Sequence, residues 1–340
     1  MAGDELGLVL PLVGAPMAGG PGTPALASAI SRVGGCGFIG AGYRTAAQMA
    51  ADIAETRRAA ARFGVNLFVP RELPVDVDAV RRYRELLRPE AEHYEVELPS
   101  IRVHDDDDWD AKLQQLLDDP VPFASFTFGL PTDAQVRALR RAGTRVAITV
   151  TDPDEARAAL ALPIDALVAQ GREAGGHSGS FDPVAYRGGL ATVDLVRAIV
   201  AMTATPVIAA GGIADAPSVR VALAAGAVAV QVGTAFLRAD EAATRSAQRA
   251  ALADARFADT VVTRAFTGRP ARGLRNRFTE RYSDAAPVAY PAIHHLTRPI
   301  RKAAALRGDA DALNLWAGSG HRLARAAPAA DIVAMLLDAV

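Results

Sequence analysis

Cysteine is almost missing from this sequence: Cys36 is the only one in 340 residues. One thiol excludes an intrachain disulfide framework and any zinc or iron–sulfur site built on several thiolates, and it fits a reducing cytoplasm. An excess of charge of either sign is missing too. The 37 Lys and Arg stand against 38 Asp and Glu, for a net charge of -1. Nothing therefore draws the chain to a phosphate backbone, and nucleic acid is not an expected partner. Lysine occurs only as Lys112 and Lys302. Long apolar runs are also lacking. The longest uncharged apolar stretch worth weighing, Val221 to Leu237, is interrupted by Gly226, Gln231, Gly233 and Thr234. It reads as a helix end, a turn and a buried strand, not as a membrane span. The amino-terminal MAGDELGLVL lacks the positive region that opens a secretory signal.

Hydrophobic residues make up 50% of the chain and charged residues 22%. That is ample for a buried core and excludes a wholly disordered chain. The length allows one large domain or two ordinary ones. Eight short apolar runs recur: Leu10 to Ala15, Cys36 to Ala41, Val65 to Val69, Phe123 to Phe128, Arg145 to Val150, Asp165 to Ala169, Pro206 to Ala210 and Val228 to Val232. Continuous runs of this length are the pattern of strands buried on both faces. Amphipathic helix patterns lie between them: Pro24 to Val33, Thr45 to Phe63, Thr132 to Ala142, Pro153 to Ala159, Thr192 to Thr203 and Ala216 to Ala225. Thr132 and Asp133, and Thr151 and Asp152 before Pro153, are helix-start signals. Gly64, Gly143 and Gly226 stand where helices should stop. Strand–helix alternation means parallel strands joined by right-handed crossovers. Eight strands in roughly 235 residues predict an α/β fold, a (β/α)8 TIM barrel, which takes about 250.

Two segments break the repeat. Pro70 to Pro122 is longer than one crossover needs and holds the acidic run Asp105 to Asp108, read as a solvated loop or a helix start. The residues after Leu237 carry helical patterns near Glu241 to Phe257, Ala303 to Leu315 and Ala329 to Ala339, with a Pro- and Arg-rich stretch between. The expected organisation is a barrel over 1–237 with an insertion at about 70–122, a smaller cap domain over 238–310, and C-terminal helices over 311–340 closing on the barrel.

Some motifs mislead. Gly35-Cys-Gly37-Phe-Ile-Gly40 matches the dinucleotide-binding G-x-G-x-x-G, but that fingerprint follows a strand and opens a helix. Here it follows a helical pattern and falls inside the second apolar run, so packing glycines are the better reading. Gly176-His-Ser178-Gly-Ser180 lacks the last glycine of a nucleophile elbow, which leaves Ser178 as a turn residue. His294 and His295 are adjacent with no second cluster at ligand spacing, so no metal site is expected. Cys36, in an apolar run, reads as buried and inert.

Three glycine-containing strand ends point to chemistry. The seventh apolar run leads through Gly211-Gly212-Ile213 into a helix, and the eighth ends in Gln231-Val-Gly233-Thr234. Loops after strands seven and eight of this barrel commonly bind a phosphate, because glycine lets backbone N–H groups approach it. After the sixth run comes Gln170-Gly-Arg-Glu-Ala-Gly175-Gly176-His177. This places an amide, a flexible backbone and an imidazole at the face where barrel chemistry occurs, and makes His177 the candidate catalytic residue. Asn66 lies among apolar residues at the end of the third run. It is either a ligand-binding amide or a satisfied core one.

With these residues in view, the sequence resembles the nitronate monooxygenase (2-nitropropane dioxygenase) family. The matching pieces are Ala15-Pro16-Met17-Ala-Gly-Gly20, Gly64-Val-Asn66-Leu-Phe68, Ser125 to Gly129, Gln170 to His177, Ala210 to Ile213, Gln231 to Thr234, and Thr267-Gly-Arg-Pro-Ala-Arg272. They run in order through nearly the whole chain. The resemblance implies a barrel holding non-covalent FMN beneath a smaller domain. Pro16 and Met17 would line the flavin ring, and Asn66 and Gln170 would hydrogen-bond it. Gly175, Gly212 and the turn Gln231, Gly233 and Thr234 would hold the phosphate, Gly176 and Gly211 would be among the cofactor-binding residues, and His177 matches the family's catalytic histidine. Ser319 stands where members often show Gln.

The implied reaction is oxidation of an alkyl nitronate, or of a nitroalkane, by O2 to a carbonyl compound and nitrite. The partners are then a small nitronate and O2, with no nucleic acid or membrane, and a homodimer stays open. For a neutral nitroalkane a base must remove a proton beside the nitro group, which a histidine with a pKa near 6.5 suits. Two rivals remain: an FMN-dependent NAD(P)H reductase of a quinone or an enoyl thioester, and a flavin-binding protein without turnover.

Overall fold

The structure is a computed structural model that describes residues 6–71, 74–338 and 340. Its strands are β1 (Leu12–Gly14), β2 (Cys36–Gly40), β3 (Phe63–Phe68), β4 (Phe123–Thr127), β5 (Arg145–Val150), β6 (Ala166–Gln170), β7 (Gly176–His177), β8 (Val207–Ala210), β9 (Ala229–Val232), β10 (Thr260–Thr263) and β11 (Ala271–Leu274). Strands β1 to β6, β8 and β9 form a closed, all-parallel barrel, sealed where Val13 pairs with Gln231. Each barrel strand falls on one of the eight apolar runs. The chain is a (β/α)8 barrel, as the alternation predicted.

Side chains alternate across each strand, and the alternation sorts the two environments. Val65 and Leu67 of β3, Ala124 and Phe126 of β4, and Leu167 and Ala169 of β6 join the outer core against the helices. A smaller cluster that includes Phe38, Phe123, Val168 and Ile208 is made by residues of the alternate parity. Nearer the carboxyl ends, residues of that same parity turn polar: Asn66, Thr127, Thr149, Gln170 and Gln231 line a cavity.

Local signals explain the helix positions. Helix Asp133–Arg141 starts from a capping box between Thr132 and Gln135. Helix Pro153–Leu160 starts from Asp152, whose carboxylate accepts the amides of Asp154 and Glu155. Such caps are each worth about 1 kcal/mol. Gly143 and Gly226 adopt the left-handed conformation, with φ of +91° and +104°. Gly64 does not stop a helix: helix Ala46–Ala59 ends earlier, and Gly64 stands inside β3. The G-x-G-x-x-G match lies at and within β2, where a Cβ on Gly37 would sit 2.2 Å from the Ala27 carbonyl of helix Pro24–Arg32. That glycine serves strand–helix packing. Cys36 is fully buried, and burial pushes its thiol pKa up to about 12.

The regions outside the repeat differ from expectation in several places. Helix Trp109–Asp118, inside the expected insertion, packs Trp109, Leu113 and Leu116 into the barrel's outer core. It is the crossover helix between β3 and β4. Helices Val77–Leu86 and Arg88–His93 instead share a second core with residues 237–317, built on Tyr83, Phe266, Phe278, Leu296 and Leu315 among others. The expected helix near Glu241 to Phe257 shrinks to Ser246–Ala251, because Ala239 bridges to Ala327 and Glu241 anchors the amide of Ala329. Of the expected helix from Ala303 to Leu315 only Ala303 to Leu306 is helical, as the end of a longer helix, Ala292–Leu306, that runs through Pro299; a 3-10 turn at Ala310–Ala312 follows. An internal proline costs about 3 kcal/mol; buried Ile293, Leu296, Ile300 and Ala304 on one face offset it. That helix ends at Gly308, φ +67°. Helix Ala329–Leu336 packs against the barrel, and Ala339, within the expected last helix, lies outside the described residues. The sheet β10–β11–β7, joining this region to the barrel's sixth loop, has no counterpart in the sequence reading.

No helix among the described residues is long and apolar enough to cross a membrane.

Candidate active site

The carboxyl ends of the barrel strands open into one cavity of about 980 Å³. That volume is at the upper end of the ~300–1,000 Å³ usual for small-molecule and cofactor sites. Every site residue expected from sequence lines it: Pro16 and Met17 after β1, Asn66 on β3, Gln170 on β6, Gly175, Gly176 and His177 beyond it, Gly211 and Gly212 after β8, and Gln231, Gly233 and Thr234 at and after β9.

One lip is made of backbone. Gly212 adopts φ +70°, and a Cβ there would lie 2.8 Å from the Glu173 Cβ. Glu173 is fixed in turn, its carboxylate accepting the amide and hydroxyl of Thr192. The amides of Gly175, Gly212 and Gly233 have no acceptor among the described residues. Thr234 Oγ1 accepts the Gly318 amide at 2.9 Å, which draws the segment around Ser319 to the same lip. Unpartnered N–H groups of glycines lining one cavity can hold an anionic oxygen cluster.

The two amides have defined partners. Asn66 Nδ2 donates to Ser125 and Thr127, leaving its carbonyl oxygen toward the cavity wall. Gln170 spends much of its capacity on the chain itself: Nε2 donates to the His177 carbonyl at 3.1 Å, and Oε1 accepts the Gly179 amide at 2.6 Å. It positions the His177 loop, a duty the sequence reading did not foresee.

His177 sits on β7, paired with Ala271 of β11. Its Nε2 lies 3.0 Å from Thr267 Oγ1, and Phe128, Tyr290 and Trp316 surround the ring. Burial, reinforced by the positive charges of Arg269 and Arg301, pushes its pKa down to about 3. An ordinary histidine value near 6.5 does not apply here: the ring is neutral at physiological pH because it is buried, with cations and no carboxylate beside it. Arg269 and Arg301 are buried, 2% and 7% exposed, and neither has an ion-pair partner among the described residues. Desolvation lowers both to about 10. Arg269 lies over the Phe128 ring at 3.9 Å and its Nε has no hydrogen-bond partner.

Several lining groups escaped sequence reasoning. Tyr43, Tyr290, His294 and Arg301 come from a loop and from the long cap helix and the turn before it, with no shared motif. The acidic run, read as a helix start, does precede helix Trp109–Asp118. It also works at the cavity edge: Asp107 accepts the Tyr43 amide and pairs with buried Lys112 at 2.7 Å, and Asp105 pairs with His295 at 2.9 Å.

The profile of the nitronate monooxygenase family matches residues 4–339. The chain belongs to this family. It is 37% identical to a probable nitronate monooxygenase of Staphylococcus aureus (strain MSSA476) over 339 residues, 98% of this chain and 95% of that one. A solved structure of nitroalkane oxidase from Streptomyces ansochromogenes superposes with a TM-score of 0.95 at 47% identity, covering 99% of this chain and 96% of that one. FabK from Thermotoga maritima superposes at 0.76 with 28% identity, covering 98% and 93%. This family member is an oxidoreductase, and its family is flavin-dependent. The cavity fits such a group: it has the volume, an amide cradle for a phosphate, and a polar inner wall of amides and hydroxyls.

Proposed function

We propose that this protein oxidises an alkyl nitronate with O2 to a carbonyl compound and nitrite, using non-covalent FMN. Two nitronates and one O2 balance to two carbonyls and two nitrites. The observation that carries the reading is the buried guanidinium of Arg301, which lines the cavity with His177 and has no ion-pair partner among the described residues. A buried charge without a partner is costly, and an anionic substrate supplies the missing partner.

FMN, when bound, supplies the electron transfer between nitronate and O2. The amides of Gly175, Gly212 and Gly233 would hold its phosphate, and Asn66, Gln170 and Gln231 would border its ring. Arg301, which lines the cavity, attracts the nitronate and orients it, and Arg269 adds positive potential from its place on the Phe128 ring. Phe128, Tyr290 and Trp316 exclude water, which strengthens those charges. A ring with a pKa near 3 is a weak base, so His177 binds an anion that arrives already deprotonated better than it extracts a proton from a nitroalkane. A cytoplasmic location, read from the lone buried thiol, accompanies this proposal.

The test is anaerobic mixing of the flavin-loaded protein with a nitronate and, separately, with NADH, followed by aerobic assay of nitrite. Bleaching by nitronate alone, with nitrite release in air, is the expected result. Fast bleaching by NADH alone would establish the reductase instead, and no bleaching by either would leave a flavin-binding protein.

A further inference from the structure

The stretch Thr267-Gly-Arg-Pro-Ala-Arg272, conspicuous in the sequence, contributes more than the positive charge of Arg269 beside His177. Its first residue meets His177. Thr267 is 1% exposed, and its Oγ1 lies 3.0 Å from His177 Nε2. The turn is rigid at this point: Gly268 takes φ +78°, and a Cβ there would sit 2.6 Å from the Ala289 backbone. The imidazole is rigid as well, held by the β7–β11 pairing and by the Gln170 bond to its carbonyl. Nδ1 has no partner among the described residues and is not sealed within the protein. The nitrogen that faces the cavity is therefore Nδ1, and the one that faces the protein is Nε2.

A neutral imidazole carries one proton, and its position decides what the cavity meets. The Arg269 amide donates to Thr267 Oγ1 at 3.4 Å, occupying an acceptor site of the hydroxyl. The hydroxyl proton then has two acceptors: the Arg269 carbonyl at 3.3 Å or His177 Nε2 at 3.0 Å. The imidazole nitrogen is the nearer. Donation to it leaves the ring proton on Nδ1.

We propose that Thr267 fixes His177 in the tautomer protonated on Nδ1, so that the cavity faces a ring N–H donor and not a ring base. Thr267 is a positioning residue that acts through His177. An anion beside Arg301 is met by a second donor, whereas a lone pair at Nδ1 would repel it. The assignment rests on the nitronate reading for its purpose but not for its measurement. It also gives the weak basicity of His177 a role, since a donor that stays neutral near pH 7 adds direction without adding another buried charge.

The experiment uses the flavin-loaded protein labelled with 15N-histidine. Two-bond 15N–1H spectra at neutral pH distinguish a protonated from an unprotonated ring nitrogen. In the wild type, the His177 Nε2 should be unprotonated and Nδ1 protonated; Thr267→Ser should keep that pattern, and Thr267→Val should lose it. Steady-state oxygen uptake with a preformed nitronate should show KM raised roughly tenfold in Thr267→Val, the scale of a hydrogen bond to a charged group, and restored in Thr267→Ser. A wild-type spectrum with the proton on Nε2 overturns the proposal, whatever the variants do. The expected spectra in a protein that no nitronate bleaches would uphold the tautomer and overturn the substrate reading, so the two failures are separable.

Discussion

The imidazole of His294 lies flat on the phenol ring of Tyr43, with centroids 4.4 Å apart and planes parallel. Tyr43 belongs to the loop after β2 and takes φ +67°; its amide is held by Asp107. His294 sits on the cap helix, and burial beside Arg301 keeps it well below the usual histidine pKa, hence uncharged. The stack fastens cap to barrel at the cavity edge. Replacing Tyr43 by Ala should cost about 1–2 kcal/mol of stability, the aromatic pair plus some buried area. It should also raise KM for a nitronate more than it lowers kcat. Urea melts and steady-state kinetics check this; an unchanged midpoint would show that the stack holds nothing.

The histidines also set an acid limit. His177, His294, His295 and His321 all titrate below the ordinary value, mainly through burial. Between the ordinary pKa near 6.5 and the lower folded values, the unfolded chain binds more protons, so stability falls as pH falls through that window. Buried Asp52, Asp107 and Glu155, shifted upward, oppose this at the acid end. The urea midpoint should drop between pH 7 and pH 5.5, and less steeply in His294→Leu. A flat profile over that interval in the wild type contradicts the burial.

Gly212→Asp should yield a folded but largely colourless protein. Aspartate tolerates φ near +70° better than most residues, but its Cβ would stand 2.8 Å from the Glu173 Cβ, so that side chain must shift. The aspartate carboxylate would occupy the cradle beside Glu173 and repel a phosphate. Far-UV circular dichroism and the flavin-to-protein absorbance ratio check it; undiminished flavin affinity would place the phosphate elsewhere.

His177→Asn keeps an N–H donor of similar reach but no base. With the imidazole pKa down at about 3, activity on a preformed nitronate should fall by no more than about tenfold. Because the ring offers a donor and not a base, any activity on the neutral nitroalkane should fall by a similar factor. Oxygen uptake with each ionisation state, supplied fresh, measures both. A loss of about 10²–10⁴ confined to the neutral nitroalkane would instead make His177 a general base.

Arg301→Met separates function from stability. Removing a buried charge that has no carboxylate partner should leave the melting temperature unchanged or higher, while KM for a nitronate rises by tenfold or more. A large fall in melting temperature would mean that its bonds to Thr297 and the His294 carbonyl matter more than its charge.

The barrel was legible because a strand buried on both faces shows as a short apolar run, and all eight runs are strands. The alternation inside those runs was harder to see. Asn66 and Gln170 are the polar exceptions that mark the inward parity, and both line the cavity. The glycine lips were readable for a local reason: Gly211-Gly212 and Gly233 are contiguous in sequence with the strand ends they cap. The cap side was not. Tyr43, Tyr290 and Arg301 meet only after folding, and Pro299 concealed the helix that carries Arg301. The shift of His177 was equally hidden, since burial under the cap produces most of it and Arg269 and Arg301, far along the chain, add to it.

The two-residue strand β7 draws its hydrogen bonds from β11, nearly a hundred positions later in the chain, and the outer core is completed by helix Ala329–Leu336 lying on helix Pro24–Arg32. On the ribosome, then, the first half of the barrel can be made while His177 still hangs in an open loop. The pocket acquires its far wall only as the final quarter emerges, so flavin capture belongs to the end of synthesis and early-terminated chains should accumulate without colour.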